Sequence, residues 1–308
     1  MNNIIPLIAL VLFPSGLFLL VIGLAYEWVD RKLVAQYQNR LGPRWFQPLA
    51  DVVKLLAKEE IVPSGAQPLL FTALPVVALA AVLTAALYVP MVGLLPAYSF
   101  RGDLIVTLYL LSMLTLCLGI AGMNTADRFS IVGATRALTQ LFSYEAPFLL
   151  ALLGPSIVAG SWQISAINAY AQSHLWVIVT QPLGFIVALV GLMGKLELPP
   201  FDAPEAETEV VAGALTEYSG RGFALFRLAR DAELVIGLTL ITAFYLGGLS
   251  NPLFFLIKTL VVLLVVAGLQ SLFARLRIDQ TVGMWWRIGA VLALVQLLIV
   301  LAIRGGIL

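Results

Sequence analysis

Residues 201–220 read FDAPEAETEVVAGALTEYSG and gather Asp202, Glu205, Glu207, Glu209 and Glu217, five of the 17 acidic residues in a chain of 308. Five carboxylates with no base between them repel one another, and such a group relieves the repulsion by holding protons on some members and not on others. Carboxylates in that condition can receive and release protons, so the chemistry this stretch points to is a proton relay. The plainer alternative is a solvated, charged helix. Asp202 and Glu205 have the three-residue spacing of a capping box, and Pro204 suits a first helical turn. On such a helix Glu205 and Glu209 share one face, with Val210, Val211 and Leu215 free to pack against protein or lipid.

Two further ionisable residues lie in or beside apolar runs: Glu145 in FSYEAPFLL, next to Ser143 and Tyr144, and Lys258 in FFLIKTLVV. An ionisable group at membrane depth costs about 3 kcal/mol or more and usually marks function. Both residues are expected in a buried polar chain, with Lys258 holding or passing charge; the alternative is that each snorkels to water.

The rest of the chain says what must position these groups. Hydrophobic residues make up 61% of it, charged residues 11%, and the mean hydropathy is +0.99, a composition that defines an integral membrane protein. A net charge of +1 leaves no basic stripe for nucleic acid. Cys117 and His174 are the only residues of their types, too few for a disulfide, a thiolate-held cluster or a zinc site. Redox chemistry served by this chain must therefore take place on something else.

A bilayer is crossed by about 20 apolar residues. Eight segments qualify: roughly 4–28, 69–90, 103–124, 138–160, 175–194, 233–249, 253–274 and 284–303. The first lacks a preceding basic residue and is too long for a secretory signal. The expected fold is thus all-α, one polytopic membrane domain over 1–308, with loops at about 29–68, 125–137, 195–232 and 275–283. Of the 18 Lys and Arg, only Arg101 and Arg304 follow even-numbered spans and Lys258 falls in or near span seven. The other fifteen put the odd-numbered loops in the cytoplasm and both termini outside, in a cytoplasmic (inner) membrane. In the first long loop PLADVVKLLAKEE (48–60) has apolar residues at 49, 52, 53 and 56, the pattern of a short amphipathic helix on the membrane surface.

Six motifs fall in order along the chain: QNRLGP (38–43), ADVVKLLAKEEIVP (50–63), GATRALTQLFSYE (133–145), PFDAPEAETEVVAGALTEYSG (200–220), IKT (257–259) and RLRIDQ (275–280). Together they resemble the H-type membrane subunit of complex I and of energy-converting membrane-bound hydrogenases, over nearly the full length. The resemblance implies an eight-helix subunit at the heel of a membrane arm, where the peripheral redox arm docks. It puts Asp202, Glu205, Glu207, Glu209, Glu217 and Glu145 on a proton path, with Lys258, Asp231 and Glu233 as further relay positions. It makes Arg40, Arg44, Arg136, Arg275, Arg277 and Asp279 residues of the redox-linked cavity or of docking. No cofactor or metal is expected on this chain. Iron–sulfur clusters and a NiFe centre, or quinone and flavin, are expected on partners: hydrogenase-like large and small subunits, a ferredoxin-like subunit and antiporter-like membrane subunits.

Within the family, the compact GPRWFQPLAD resembles the hydrogenase branch, as does the wording of ELPPFD and GALTEYSGRG. The quinone branch tends to carry a glutamate thirteen residues after Glu217; here that position is Arg230, with Asp231 or Glu233 nearby as substitutes. The expectation is therefore a hydrogenase, with polysulfide-reducing complexes in the same branch and respiratory complex I as the alternative. A stand-alone transporter would need paired broken helices, and a prenyltransferase would need Asp-rich Mg²⁺ motifs; neither pattern is present. A purely structural anchor would keep the family and lose the relay.

Overall fold

The computed structural model describes residues 9–174 and 177–304, without the side chain of Glu207. Among them are ten helices that organise the molecule: α1 (Gly16–Tyr37), α2 (Gln47–Ala57), α3 (Pro68–Ala86), α4 (Asp103–Asn124), α5 (Arg128–Ala159), α6 (Ile164–Ser173), α7 (Pro182–Lys195), α8 (Gly220–Tyr245), α9 (Pro252–Leu272) and α10 (Ile278–Arg304). Described residues form no strand. Proline opens α3, α7 and α9, where its fixed φ fits and its missing N–H costs nothing. Asp127 caps α5 by accepting from the Ser130 N–H at 2.9 Å, and Gly160, with φ +68°, ends it.

Among the described residues, six helices are long and apolar enough to cross a membrane: α1 with its preceding turn, α3, α4, α5, α9 and α10. The two remaining expected spans differ for physical reasons. Helix α7 has 14 residues, about 21 Å, and is preceded by a single turn at Val177–Thr180. Helix α8 is long, at 26 residues, but carries Arg230, Asp231 and Glu233 midway. The expected starts of the first and fifth spans, at 4–8 and 175–176, lie outside the described residues.

Helix α8 is the axle of the bundle. Every residue from Asp231 to Tyr245 is buried, an all-round burial expected of a helix surrounded by others. It packs against α1, α3 and α9, while α5 packs against α4, α7 and α10. The surface helix α2 ends at Ala57, short of the expected 60. Val52 and Leu55 face α8, whereas Leu49, Val53 and Leu56 are exposed, as an amphipathic helix between protein and lipid requires. In α10 the turn at Trp285–Gly289 widens to a π-helix; Trp285 is buried there between Tyr144 and Phe201.

Candidate functional site

The acid-rich loop does not form the single helix that its spacing suggests. It breaks into 3₁₀ turns at Ala203–Glu205 and Gly213–Leu215, with one α-turn at Glu207–Val210 between them. Asp202 makes no capping bond. Its carboxylate instead accepts from Arg275, Nε at 2.9 Å and Nη2 at 2.6 Å. What holds the loop is close backbone approach: a methyl placed on Gly133 of α5 would overlap the backbone of Gly213. Gly213 itself has φ +55°, a conformation that glycine adopts without penalty. Glu205 and Glu209 consequently point to different partners. Glu209, half exposed, pairs with Arg136 at 2.7 Å, and Arg136 also donates to the Ala203 carbonyl at 3.2 Å.

Glu205 leads inward. Arg230 holds its carboxylate at 2.5 Å with one nitrogen and Glu197 at 2.7 Å with another. Glu197 adopts φ +53°, a left-handed conformation that costs a non-glycine residue about 1 kcal/mol, and its ion pair with Arg230 accounts for a charged residue there. Burial pushes the Glu197 carboxyl up to about 7, Arg230 opposing and Glu205 adding to the rise.

One helical turn beyond Arg230, Glu233 is buried deeper. Its carboxylate lies 3.8 Å from the Lys195 ammonium, and so does that of Glu145. Lys195 also donates to Ser112 Oγ at 3.1 Å, and Ser112 donates to Glu145 at 2.5 Å. Lys195 and Glu233 are each only 1% exposed in their side chains, so this is an ion-pair triad inside the bundle. It has two carboxylates against one cation, as has the Glu197–Arg230–Glu205 group. Each group thus carries one formal negative charge in surplus.

A third cluster flanks the first two. Arg227 pairs with Glu27 at 2.7 Å and Asp51 at 3.3 Å, and Arg31 pairs with the same two acids. Asp231 neighbours Glu27. A cleft of about 440 Å³ opens between the clusters, lined by Glu27, Asp30, Glu197, Asp202, Glu205 and Asp231 with Arg31, Arg230 and Arg275. A second cleft, about 310 Å³, lies beside Arg136, Glu209, Arg275, Arg277 and Asp279.

The structure thus gathers Glu205 with Glu197 on Arg230, and Glu233 with Glu145 on Lys195, two groups set one helical turn apart along α8 with no direct bond between them among the described residues. It brings Asp202 and Asp231 to the cleft beside the first. Glu217 is half-buried at the loop's end, apart from the triad. Glu207 has no described side chain. Arg40 and Arg44 are exposed, Arg40 donating to Gln38. Arg277 pairs with Asp279 at the surface, 3.4 Å apart. Lys258 stands apart from the chain: its ammonium donates to the Gly247 and Gly248 carbonyls at 3.2 and 2.6 Å, beyond the other end of α8. A lysine nearly two turns into its helix reaches these freed carbonyls more readily than a distant carboxylate. Sequence reasoning missed Lys195, Glu197, Glu27, Asp51 and Arg227. The signal for two of them was MGKLELPP, where Lys195 and Glu197 follow an apolar run directly, yet Lys195 reads equally as a cation marking the cytoplasmic end of a span.

Fold and site together define a polytopic, all-helical membrane protein whose acidic loop lies beside two groups of paired charges, one of them deep in the bundle. The family model described as NADH dehydrogenase matches residues 8–301, and the chain belongs to that family. It is 34% identical to the H subunit of the NADH-quinone oxidoreductase of Carboxydothermus hydrogenoformans, over 90% of this chain and 81% of that protein. It is 35% identical to an H subunit of the NADH-quinone oxidoreductase of Geobacter metallireducens, over 92% of each. Its fold is similar to that of a chain of the membrane-bound sulfane sulfur reductase, an archaeal respiratory membrane complex. There the TM-score is 0.85 at 23% identity, over 97% of this chain and 99% of that one. The chain is a membrane subunit of the H type found in complex I.

Proposed function

We propose that this chain is the membrane coupling subunit of a quinone-reducing oxidoreductase of the complex I type. Its carboxylate loop anchors the peripheral redox arm, and its buried charges pass the effect of electron transfer into the bilayer as H⁺ or Na⁺ movement. The observation that carries this reading is the buried Glu233–Lys195–Glu145 triad, one helical turn along α8 from the Glu205–Arg230–Glu197 group of the loop. A proton arriving at the cleft neutralises the first group. The lost charge at Glu197 then weakens the hold of Arg230, which leaves Arg230 free to lean toward Glu233 and to release Lys195 toward Glu145. In this reading the chain carries no redox cofactor. Iron–sulfur clusters and the acceptor site belong to partner subunits, and antiporter-like subunits continue the path. The cleft-bearing loops face the cytoplasm and the membrane is the inner one.

The quinone branch is favoured because these curated relatives, at 31–35% identity, are all H subunits of NADH-quinone oxidoreductases. A second reading, a hydrogenase or sulfur-reducing complex, rests on Arg230 and the compact GPRWFQPLAD segment. Mass spectrometry of the complex purified through a tag on this chain separates them. Quinone- and flavin-linked modules support the first reading; a large subunit with two CxxC nickel-ligand pairs replaces it by the second. In vesicles, E145Q and E233Q are expected to keep assembly and lower ion movement per electron at least tenfold. Unchanged stoichiometry in both variants reduces the chain to an anchor.

A further inference from the structure

The other end of the bundle holds a polar site that the paired charges do not use. Gln181 and Gln296 are 1% and 2% exposed, and neither the Gln181 oxygen and nitrogen nor the Gln296 nitrogen has a hydrogen-bond partner among the described residues. The two residues face one junction. A methyl on Gly154 of α5 would overlap the Gln181 Oε1, so that amide rests against the α5 backbone. A methyl on Gly184, one turn into α7, would lie 2.8 Å from the Tyr245 hydroxyl and 3.4 Å from Gln296 Cγ. The Tyr245 hydroxyl donates to the Ala151 carbonyl at 2.6 Å and keeps its lone pairs for another donor.

Three unpaired amide atoms at membrane depth cost about 1–3 kcal/mol each unless something meets them, and lipid cannot. Water can, where several polar groups converge on a cavity roomy enough to admit it. That cavity is present. A pocket of about 250 Å³ is lined by Gln181, Thr180, Tyr170, Val300 and Arg304, among others, and Gln296 lies beyond its lining, one turn along α10 from Val300. Along α10, Gln296, Val300 and Arg304 recur every four residues, so one helix face runs from the buried amide to an exposed guanidinium at the helix end.

We infer that the α5–α7–α10 junction holds a water-filled vestibule opening on the face of the membrane opposite the carboxylate loop, and that ions leave or enter the bundle through it. Glu145 lies nine residues below Gly154 on α5, roughly 13 Å along the axis. The layer between them is apolar, with Phe148 and Leu152 fully buried. Vestibule and triad are thus two polar ends of one column separated by an apolar layer, an arrangement that gates by wetting. This goes beyond the coupling role, which passes charge sideways to neighbouring subunits, because it gives the chain a transmembrane route of its own.

Thiol accessibility in the assembled complex tests it without relying on coupling. In a C117A background, V300C and Q181C are treated from the vestibule side of oriented vesicles with a membrane-impermeant cationic methanethiosulfonate, with L152C as the dry reference. Both are expected to react at least tenfold faster than L152C. Rates equal to that reference in V300C, whose Val→Cys change preserves packing, overturn the vestibule. The transport role is tested by Q181L/Q296L, scored for retention of partner subunits and for ions moved per electron. Full assembly with at least threefold less ion movement supports it, and unchanged ion movement overturns it. Should the double variant fail to assemble, G184A, which narrows the junction beside Tyr245, gives the same readout.

Discussion

The two ends of the α5–α7–α8 column solve the same problem in opposite ways. Toward the loop, polar atoms in the bundle are charged and paired: Glu205 and Glu197 on Arg230, Glu233 and Glu145 on Lys195. At the far end of this column the buried groups are the neutral Gln181, Gln296 and Tyr245. Of the charges at that end, Arg304 lies at the pocket's rim, Lys258 is turned aside onto backbone carbonyls and Asp103 accepts from the Ile164 N–H and Ser99. Charges respond to a field and to one another over several ångströms, whereas amides only hold water in place. On the proposed reading the loop end is the one that senses a change in charge, and the far end the one that conducts.

That contrast can be broken most severely at Lys195. Removing one partner of a buried ion pair leaves an uncompensated charge and costs about 3–5 kcal/mol. K195M is accordingly expected to lose most assembled complex, measured by partner retention and melting temperature. The K195M/E145Q/E233Q triple variant, with no buried charge left in the triad, should recover assembly but not ion movement. Full assembly of K195M alone would mean that the triad is not paired.

The next effect is in pH. The Glu197 carboxyl lies at about 7 against an ordinary 4.5, so the folded protein binds its proton more tightly than the unfolded chain does. Its stabilising contribution is complete below 4.5 and is lost as pH rises through 7, roughly 3 kcal/mol across that window. A melting series from pH 4.5 to 7.5 should fall less steeply in E197Q than in the parent; parallel curves would remove Glu197 as a proton-holding site.

Smaller still is the seat of the loop. G133A forces a methyl against the Gly213 backbone and should cost about 1–3 kcal/mol, seen as faster proteolysis at 203–215 with the spans intact. Least of all is D202N. Its bond to the exposed Arg275 is worth roughly 0.2–1 kcal/mol, and assembly should change little. A D202N effect as large as that of K195M would dissolve the distinction between surface latch and buried triad.

Much of this was legible in the sequence, and what was not has a common cause. The long apolar helices, the surface helix at 47–57 and the loop carboxylates follow from local composition and periodicity. Glu145 was recognisable because it sits beside an apolar run. Its partner Lys195 was not, because a lysine at the end of an apolar segment looks like any cation that orients a span. The pairings of Glu205 with Arg230 and Asp202 with Arg275 join residues 25 and 73 positions apart, and spacing carries no record of them. The helix expected to start at Asp202–Pro204, with Glu205 and Glu209 on one face, did not form for the same reason. Gly213 and its close approach to Gly133 override a short helix that has little stability of its own.

That seating of the loop also sets an order of events in biogenesis. Turns of three and four residues have no independent stability, so segment 202–216 takes its shape only once α4 and α5 are side by side, with Gly122 and Gly133 presenting their bare backbones to Gly213 and Ala214. The loop therefore takes shape only after α4 and α5 have packed, and on the proposed reading a peripheral partner that docks on it docks on a helix pair already assembled.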